Sequence, residues 1–318
     1  MTKAILFVGH GSKLEAGNEE VREFVKQTRE LIDSSLLVET CFLEFAEPTI
    51  SQGIKICIEK GASEIYVMPI ILLHAGHSKI HIPAEIVEAQ EKYPHVKFTY
   101  GEVVGIHEDI FQILLERLEE IGFDTQAKHE DTAILLIARG GSDEYANGDF
   151  FKITRLLWEK LNVQVVEGAF MGVTEPLVEE GIERCIKLGA KKIIMLPYFL
   201  FTGILMERMK SYCERFKEQY PEINIEIAHY FGYHPRLKSV IIERMVQALS
   251  GHSNGDKDIQ NVQKLMEKGI ISHHHHHHEH EHEHHHEHEH EHHHGHKHHH
   301  HDYKGCNVQL DEKMEVKP

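Results

Sequence analysis

Two similar α/β domains, each a doubly wound and mainly parallel sheet with helices on both faces, are the fold this sequence predicts. Three observations carry that expectation. Short apolar runs alternate with amphipathic stretches from residue 3 to about residue 250, the pattern of strands joined by crossover helices. The second half repeats the first: EPTISQGIKICIEKGASEIYVMP at 47–69 is answered by EPLVEEGIERCIKLGAKKIIMLP at 175–197, an offset of 128. The composition is that of a folded chain, 41% hydrophobic and 27% charged over 318 residues, with room for two cores.

Residues 3–9 (KAILFVG) read as the first strand, and His10-Gly11-Ser12 opens the turn after it. Glu15 to Ile32 carries helical periodicity. A second strand, Leu36 to Glu44, leads into Glu47-Pro48-Thr49, where proline suits the first turn of a helix. That helix stops at Gly61, a glycine of the kind that ends helices in a left-handed turn. The third strand, Glu64 to Leu73, ends at Ala75-Gly76, a small-residue turn into a crossover helix from about Ile82 to Tyr93. A strand over Val96–Gly101 and a helix over His107–Ile121 complete the half. After a polar joint at Asp124–Asp131, TAILLIARGGS (132–142) answers KAILFVGHGS (3–12), and Tyr220-Pro221 answers Tyr93-Pro94. The expected domains are therefore 1–123 and 132–250, with 251–318 as linker and tail.

Charge and cysteine usage narrow the function classes. A formal charge of −17 speaks against a general nucleic-acid partner, which would meet a basic face. Charged residues interrupt every apolar run well before the roughly 18 residues a membrane span needs. Five cysteines without a CxxC pair, and no signal peptide, read as reduced thiols in a cytoplasmic protein, with Cys57 and Cys185 on buried helix faces. No Rossmann or P-loop glycine fingerprint is present. From His273 to His301 the chain holds 21 His and 6 Glu, a composition that cannot bury a core and is expected to be disordered. It continues past its first six histidines as EHEHEHHHEHEHEHHH, which reads as a reservoir for cobalt, nickel or zinc rather than a purification tag.

The duplication is its own control. His107 and His234 occur in both halves and read as structural, at helix starts. Three polar residues occur in the first half only: His10 becomes Arg139, Glu44 becomes Gly172 and His77 becomes Leu205. In a sheet of order 2-1-3 the carboxyl ends of their strands are neighbours, where open α/β sheets bind ligands. Two imidazoles and a carboxylate suit a borderline divalent ion such as cobalt, iron or nickel.

GHGS at 9–12, FLEFAEP at 42–48 and MPIILLHAGHSKIHIP at 68–83 resemble the class II chelatases, specifically the long-form sirohydrochlorin chelatases of the CbiX/SirB type. The resemblance covers about 250 residues. It implies a lyase that inserts a divalent metal into sirohydrochlorin, a reduced polycarboxylate tetrapyrrole, with cobalt leading to cobalamin and iron to sirohaem. It implies His10, Glu44 and His77 as the catalytic and metal-holding set, with an imidazole of near-neutral pKa taking the pyrrole protons. Arg139 and Lys79 are the cations expected to meet substrate carboxylates, with Lys13 a weaker third. The run FLFTGIL at 199–205 reads as cleft wall or as core. His74 and His81 lie outside the family pattern and read as accessory. The His-rich tail favours Co2+ over the alternative, Fe2+; a metal storage or delivery protein is the rival reading. No organic cofactor is expected. Cys306 stands alone where some relatives carry Met-x-Cys-x-x-Cys, so no iron–sulfur cluster is expected either. The expected assembly is a monomer or homodimer.

Overall fold

Alternation along the first strand sets the architecture. The computed structural model describes residues 2–271. In it, β1 (Thr2–Gly9) sends Ile5 and Phe7 to one apolar cluster and Ala4, Leu6 and Val8 to another, all with no exposed surface. Side chains alternate across a strand, so burial on both faces demands cover on both. β2 (Leu37–Phe42), β3 (Ala62–Pro69) and β4 (Lys97–Tyr100) pair in parallel in the order β2-β1-β3-β4. The second half repeats this with β5 (His129–Ala138), β6 (Val163–Phe170), β7 (Lys192–Pro197) and β8 (Asn224–Ile227), in the order β6-β5-β7-β8.

Helices α2 (Ile50–Glu59), α3 (Ile82–Lys92) and α9 (Asp256–Glu267) cover the outer face of the first sheet. Helices α6 (Val178–Lys187) and α7 (Ile204–Gln219) cover that of the second. Between the sheets lie α1 (Glu15–Arg29), α4 (Glu108–Glu119), α5 (Glu144–Lys160) and α8 (Pro235–Leu249). Their apolar faces share one core, in which Phe24 and Ile113 of the first half join the same cluster as Phe150 and Val240 of the second.

The halves are joined by contacts that are themselves duplicated. His107 caps α4, its Nδ1 accepting from the Asp109 N–H at 3.1 Å, and its Nε2 lies 3.2 Å from Glu243 of α8. His234 caps α8 in the same way, accepting from the Arg236 N–H, and its Nε2 lies 2.9 Å from Glu116 of α4. Arg117 donates to the Phe231 carbonyl, and Arg244 to the carbonyls of Val103 and Val104. Reciprocal pairs of this kind are what a two-fold axis generates, and both histidines hold the structural place expected of them.

Several boundaries differ from the sequence expectation. β3 stops at Pro69, because Ile70, Leu72 and Leu73 supply apolar surface to the shared core from a loop. β2 stops at Phe42, which leaves Glu44 beyond the strand, and α1 stops at Arg29. The linker expected over 251–318 is corrected at 256–267, which is helical: Ile259, Val262 and Met266, at helical spacing, pack into the cluster that α3 also lines. The His-rich stretch expected to be disordered, and Cys306, lie outside the described residues. The four described cysteines are buried, and burial pushes the Cys57 and Cys185 thiols up to about 12. Among the described residues, no helix is long and apolar enough to cross a membrane. The described residues lie within one compact unit.

Candidate metal site

The three residues that only the first half carries converge at the carboxyl end of its sheet. His10 follows β1, Glu44 lies two residues beyond β2, and His77 opens a π-turn (His77–His81) between β3 and α3. Each offers a ligand atom, and all three atoms lie within 4.8 Å of one another. His10 Nδ1 is 3.4 Å from Glu44 Oε1, and the two imidazole rings meet edge to face with centroids 4.9 Å apart.

Local structure explains the convergence. Gly11 has φ +89°, and a Cβ there would run into the Glu44 carbonyl, so only glycine lets the two loops touch. The Leu43 N–H donates to the Gly9 carbonyl at 2.9 Å and the Glu44 N–H to the His10 carbonyl at 3.1 Å, which extends the parallel pairing past the strand ends. Buried Asn18 of α1 clasps the turn: its Oδ1 accepts from the Ser12 N–H at 2.8 Å and its Nδ2 donates to the Ser12 carbonyl at 2.9 Å. On the His77 side, buried Ser78 donates its hydroxyl to the Ala75 carbonyl at 3.0 Å, and buried Tyr100 donates to the Ser78 carbonyl at 3.0 Å. The Ile82 N–H bonds the His77 carbonyl and closes the π-turn, a distortion that favours functional sites. Residue type and spacing do not single out Ser78 or Tyr100. Asn18 had a signal in the repeat, because Asn147 makes the equivalent bond to the Gly141 carbonyl at 2.7 Å.

The protonation states of the two histidines suit metal ligation, while the Arg139 charge opposes it until that side chain moves. His10 donates its Nδ1–H to the Gly11 carbonyl at 3.2 Å and accepts at Nε2 from the Arg139 guanidinium at 3.1 Å, so the ring is neutral. Burial, and then the Arg139 charge, lower its pKa to about 4. Burial lowers His77 to about 3, with His10, His81 and Arg139 adding to the effect. Both rings therefore keep a lone pair at neutral pH, as a metal ligand must.

The remaining expected residues are placed as follows. Arg139, the second-half counterpart of His10, touches His10 directly. Lys79 Nζ lies 2.6 Å from Asp143, whose other carboxylate oxygen caps the start of α5, so Lys79 ties the π-turn to the second half. Lys13 lies over the Phe45 ring at 5.4 Å. His74 pairs with Asp258 of α9 at 3.0 Å, and His81 Nδ1 lies 2.9 Å from His77 Nδ1. In the 199–205 run, Phe199 is buried and Leu200, Phe201 and Leu205 pack on the cores, so these four side chains serve packing. Exposed Phe45 and Val173 sit on equivalent loops with φ of 60° and 70°, a strained region for such residues.

Two neutral imidazoles and a carboxylate, brought together at the strand ends of one copy of a duplicated parallel α/β scaffold, are a donor set of the kind that suits a borderline divalent ion. The chain belongs to the CbiX family, whose model matches residues 4–121 and 133–248. It is 54% identical over 249 residues (78% of this chain, 81% of the relative) to a sirohydrochlorin cobaltochelatase of Priestia megaterium. It is 37% identical over 251 residues (79% and 92%) to a sirohydrochlorin ferrochelatase of the same organism. Among solved structures it resembles SirB from Bacillus subtilis with Fe3+, with TM-score 0.68 and 33% identity over 78% of this chain and 96% of that one. It also resembles SirB from Bacillus subtilis subspecies spizizenii in complex with cobalt, with TM-score 0.67 and 30% identity over 79% and 96%.

Proposed function

We propose that the protein is a sirohydrochlorin cobaltochelatase, which inserts Co2+ into sirohydrochlorin at the site formed by His10, Glu44 and His77. The observation that carries this reading is the convergence of those three side chains within 4.8 Å, in a chain 54% identical to a cobaltochelatase. Residues 1–123 form the working copy and 132–250 the copy that lost the donors, in a cytoplasmic enzyme.

His10, His77 and Glu44 hold the incoming ion and leave coordination positions for the four macrocycle nitrogens. Whichever His10 nitrogen takes the ion, Arg139 must leave it. Binding at Nε2 displaces the guanidinium; binding at Nδ1 moves the ring proton to Nε2, which then no longer accepts. Cation entry thus frees Arg139 for a substrate carboxylate, and Lys79 exchanges Asp143 for another.

Two pyrrole protons must leave as the metal enters. At about 4 and 3, the imidazoles are ligands before they are bases, which revises the expectation of a near-neutral histidine. With Arg139 withdrawn, one cause of the lowered His10 pKa is gone, so the His10 nitrogen that the ion vacates on passing to the macrocycle accepts one pyrrole proton, and solvent takes the other. Glu44 offsets the ion's charge throughout. The histidines of 273–301 gather metal for this site.

A spectral assay of sirohydrochlorin with cobalt and iron offered together tests the reading. Cobalt product in excess supports it, iron product in excess makes the enzyme a ferrochelatase, and no insertion of either metal overturns it.

A further inference from the structure

We propose that His77 and His81 form a second, outer divalent-cation station, from which the ion passes to the inner set with His77 as the shared ligand. The inference rests on the inner site proposed above and adds a residue, His81, that lies outside the matched motif.

The geometry is that of two ligands on one ion. The two Nδ1 atoms are 2.9 Å apart, with ring centroids at 5.0 Å. Imidazole nitrogens bind a borderline divalent ion at about 2.0–2.1 Å, so a pair about 2.9 Å apart subtends about 90° at the ion. Adjacent ligands of a six-coordinate ion stand at that angle. The π-turn brings the two rings together: its wider backbone turn carries His77 and His81 on one side, held by Ser78 and Tyr100 beneath.

Exposure falls from the outer station to the inner one. His81 is exposed, whereas His77, His10 and Glu44 are half-buried. The three inner donors form the compact group, and His81 is not among them. The two stations therefore overlap at His77 without merging. An ion taken at His81 and His77 reaches the inner set by ligand exchange: the His81 bond breaks as bonds to His10 and Glu44 form. No electron moves. The proton now shared by the two Nδ1 atoms passes, through water at exposed His81, to an Nε2 of the same ring when the ion replaces it. Retaining one ligand throughout avoids full release of the ion between stations.

Anomalous diffraction from crystals of the full chain soaked in excess cobalt tests the proposal, because position separates these sites from ions on the tail. In a chain carrying His10→Ala with Glu44→Gln, a cobalt peak bonded to both His77 and His81 is expected. In His81→Ala that outer peak is lost while the inner peak remains. An inner peak in the unmodified chain, with no outer peak in the double variant, overturns the outer station and leaves the inner site standing. An outer peak in the double variant, with no inner peak in the unmodified chain, supports the outer station and overturns the inner assignment.

Discussion

Lowering the pH from about 7.5 to about 5.5 should barely weaken cobalt binding at the inner site, although its ligands include two histidines. An ordinary imidazole, with a pKa of about 6.5, is only about one-tenth neutral at pH ~5.5, so a site needing two would lose affinity roughly a hundredfold. His10 and His77 are held at about 4 and about 3 by burial and by the Arg139 charge. Both remain more than about 95% neutral at pH ~5.5, and the expected loss is below about twofold. Calorimetric titration with cobalt measures this on a chain ending at Ile271, which removes the competing histidines of 273–301. That portion lies within one compact unit. Arg139→Ala removes a cause of the depression, so in this variant the fall in affinity should begin at higher pH. A hundredfold loss in the unmodified site between those two pH values would refute the electrostatic reasoning, as would an unchanged profile in Arg139→Ala.

Three further outcomes follow from the same geometry. Because His10 and His77 titrate below the ordinary value when folded, the unfolded chain binds more protons once pH falls through about 6.5, and stability declines from there toward about 4 and 3. His77→Leu, which installs the residue found at 205, should flatten that acid limb in urea melts at successive pH values. Asn18→Ala breaks the two bonds that clasp the Ser12 turn and should cost about 1–3 kcal/mol in denaturant unfolding. His107→Ala removes a helix cap worth about 1 kcal/mol and should lower stability by that order while cobalt insertion persists.

The fold and the meeting of His10, Glu44 and His77 were legible because the duplication turned one sequence into a comparison of two. Glu-Pro, Gly, Cys and Gly-Ala recurring at one offset marked scaffold, and the absence of His10, Glu44 and His77 from the second copy marked three side chains that the fold brings together. Most of the supporting layer was not legible. Ser78 and Tyr100 act through bonds to main-chain carbonyls, which depend on where the chain turns, whereas Asn18 left one trace in the repeat, as Asn147. The end of β3 was hidden because Ile70–Leu73 is as apolar as a strand while packing as a loop. Helix α9 was hidden for a different reason: its apolar residues are few, and it falls after the repeat ends.

The central claim is that the first half alone handles the metal, and the rate of cobalt insertion into sirohydrochlorin at saturating cobalt tests it most directly. Glu44→Gln and His77→Ala should each lose at least about a hundredfold in rate, the lower end of what a positioned catalytic group supplies. Leu205→Ala, at the position equivalent to His77, should insert cobalt at close to the unmodified rate. Near-normal insertion by both first-half variants would contradict the account.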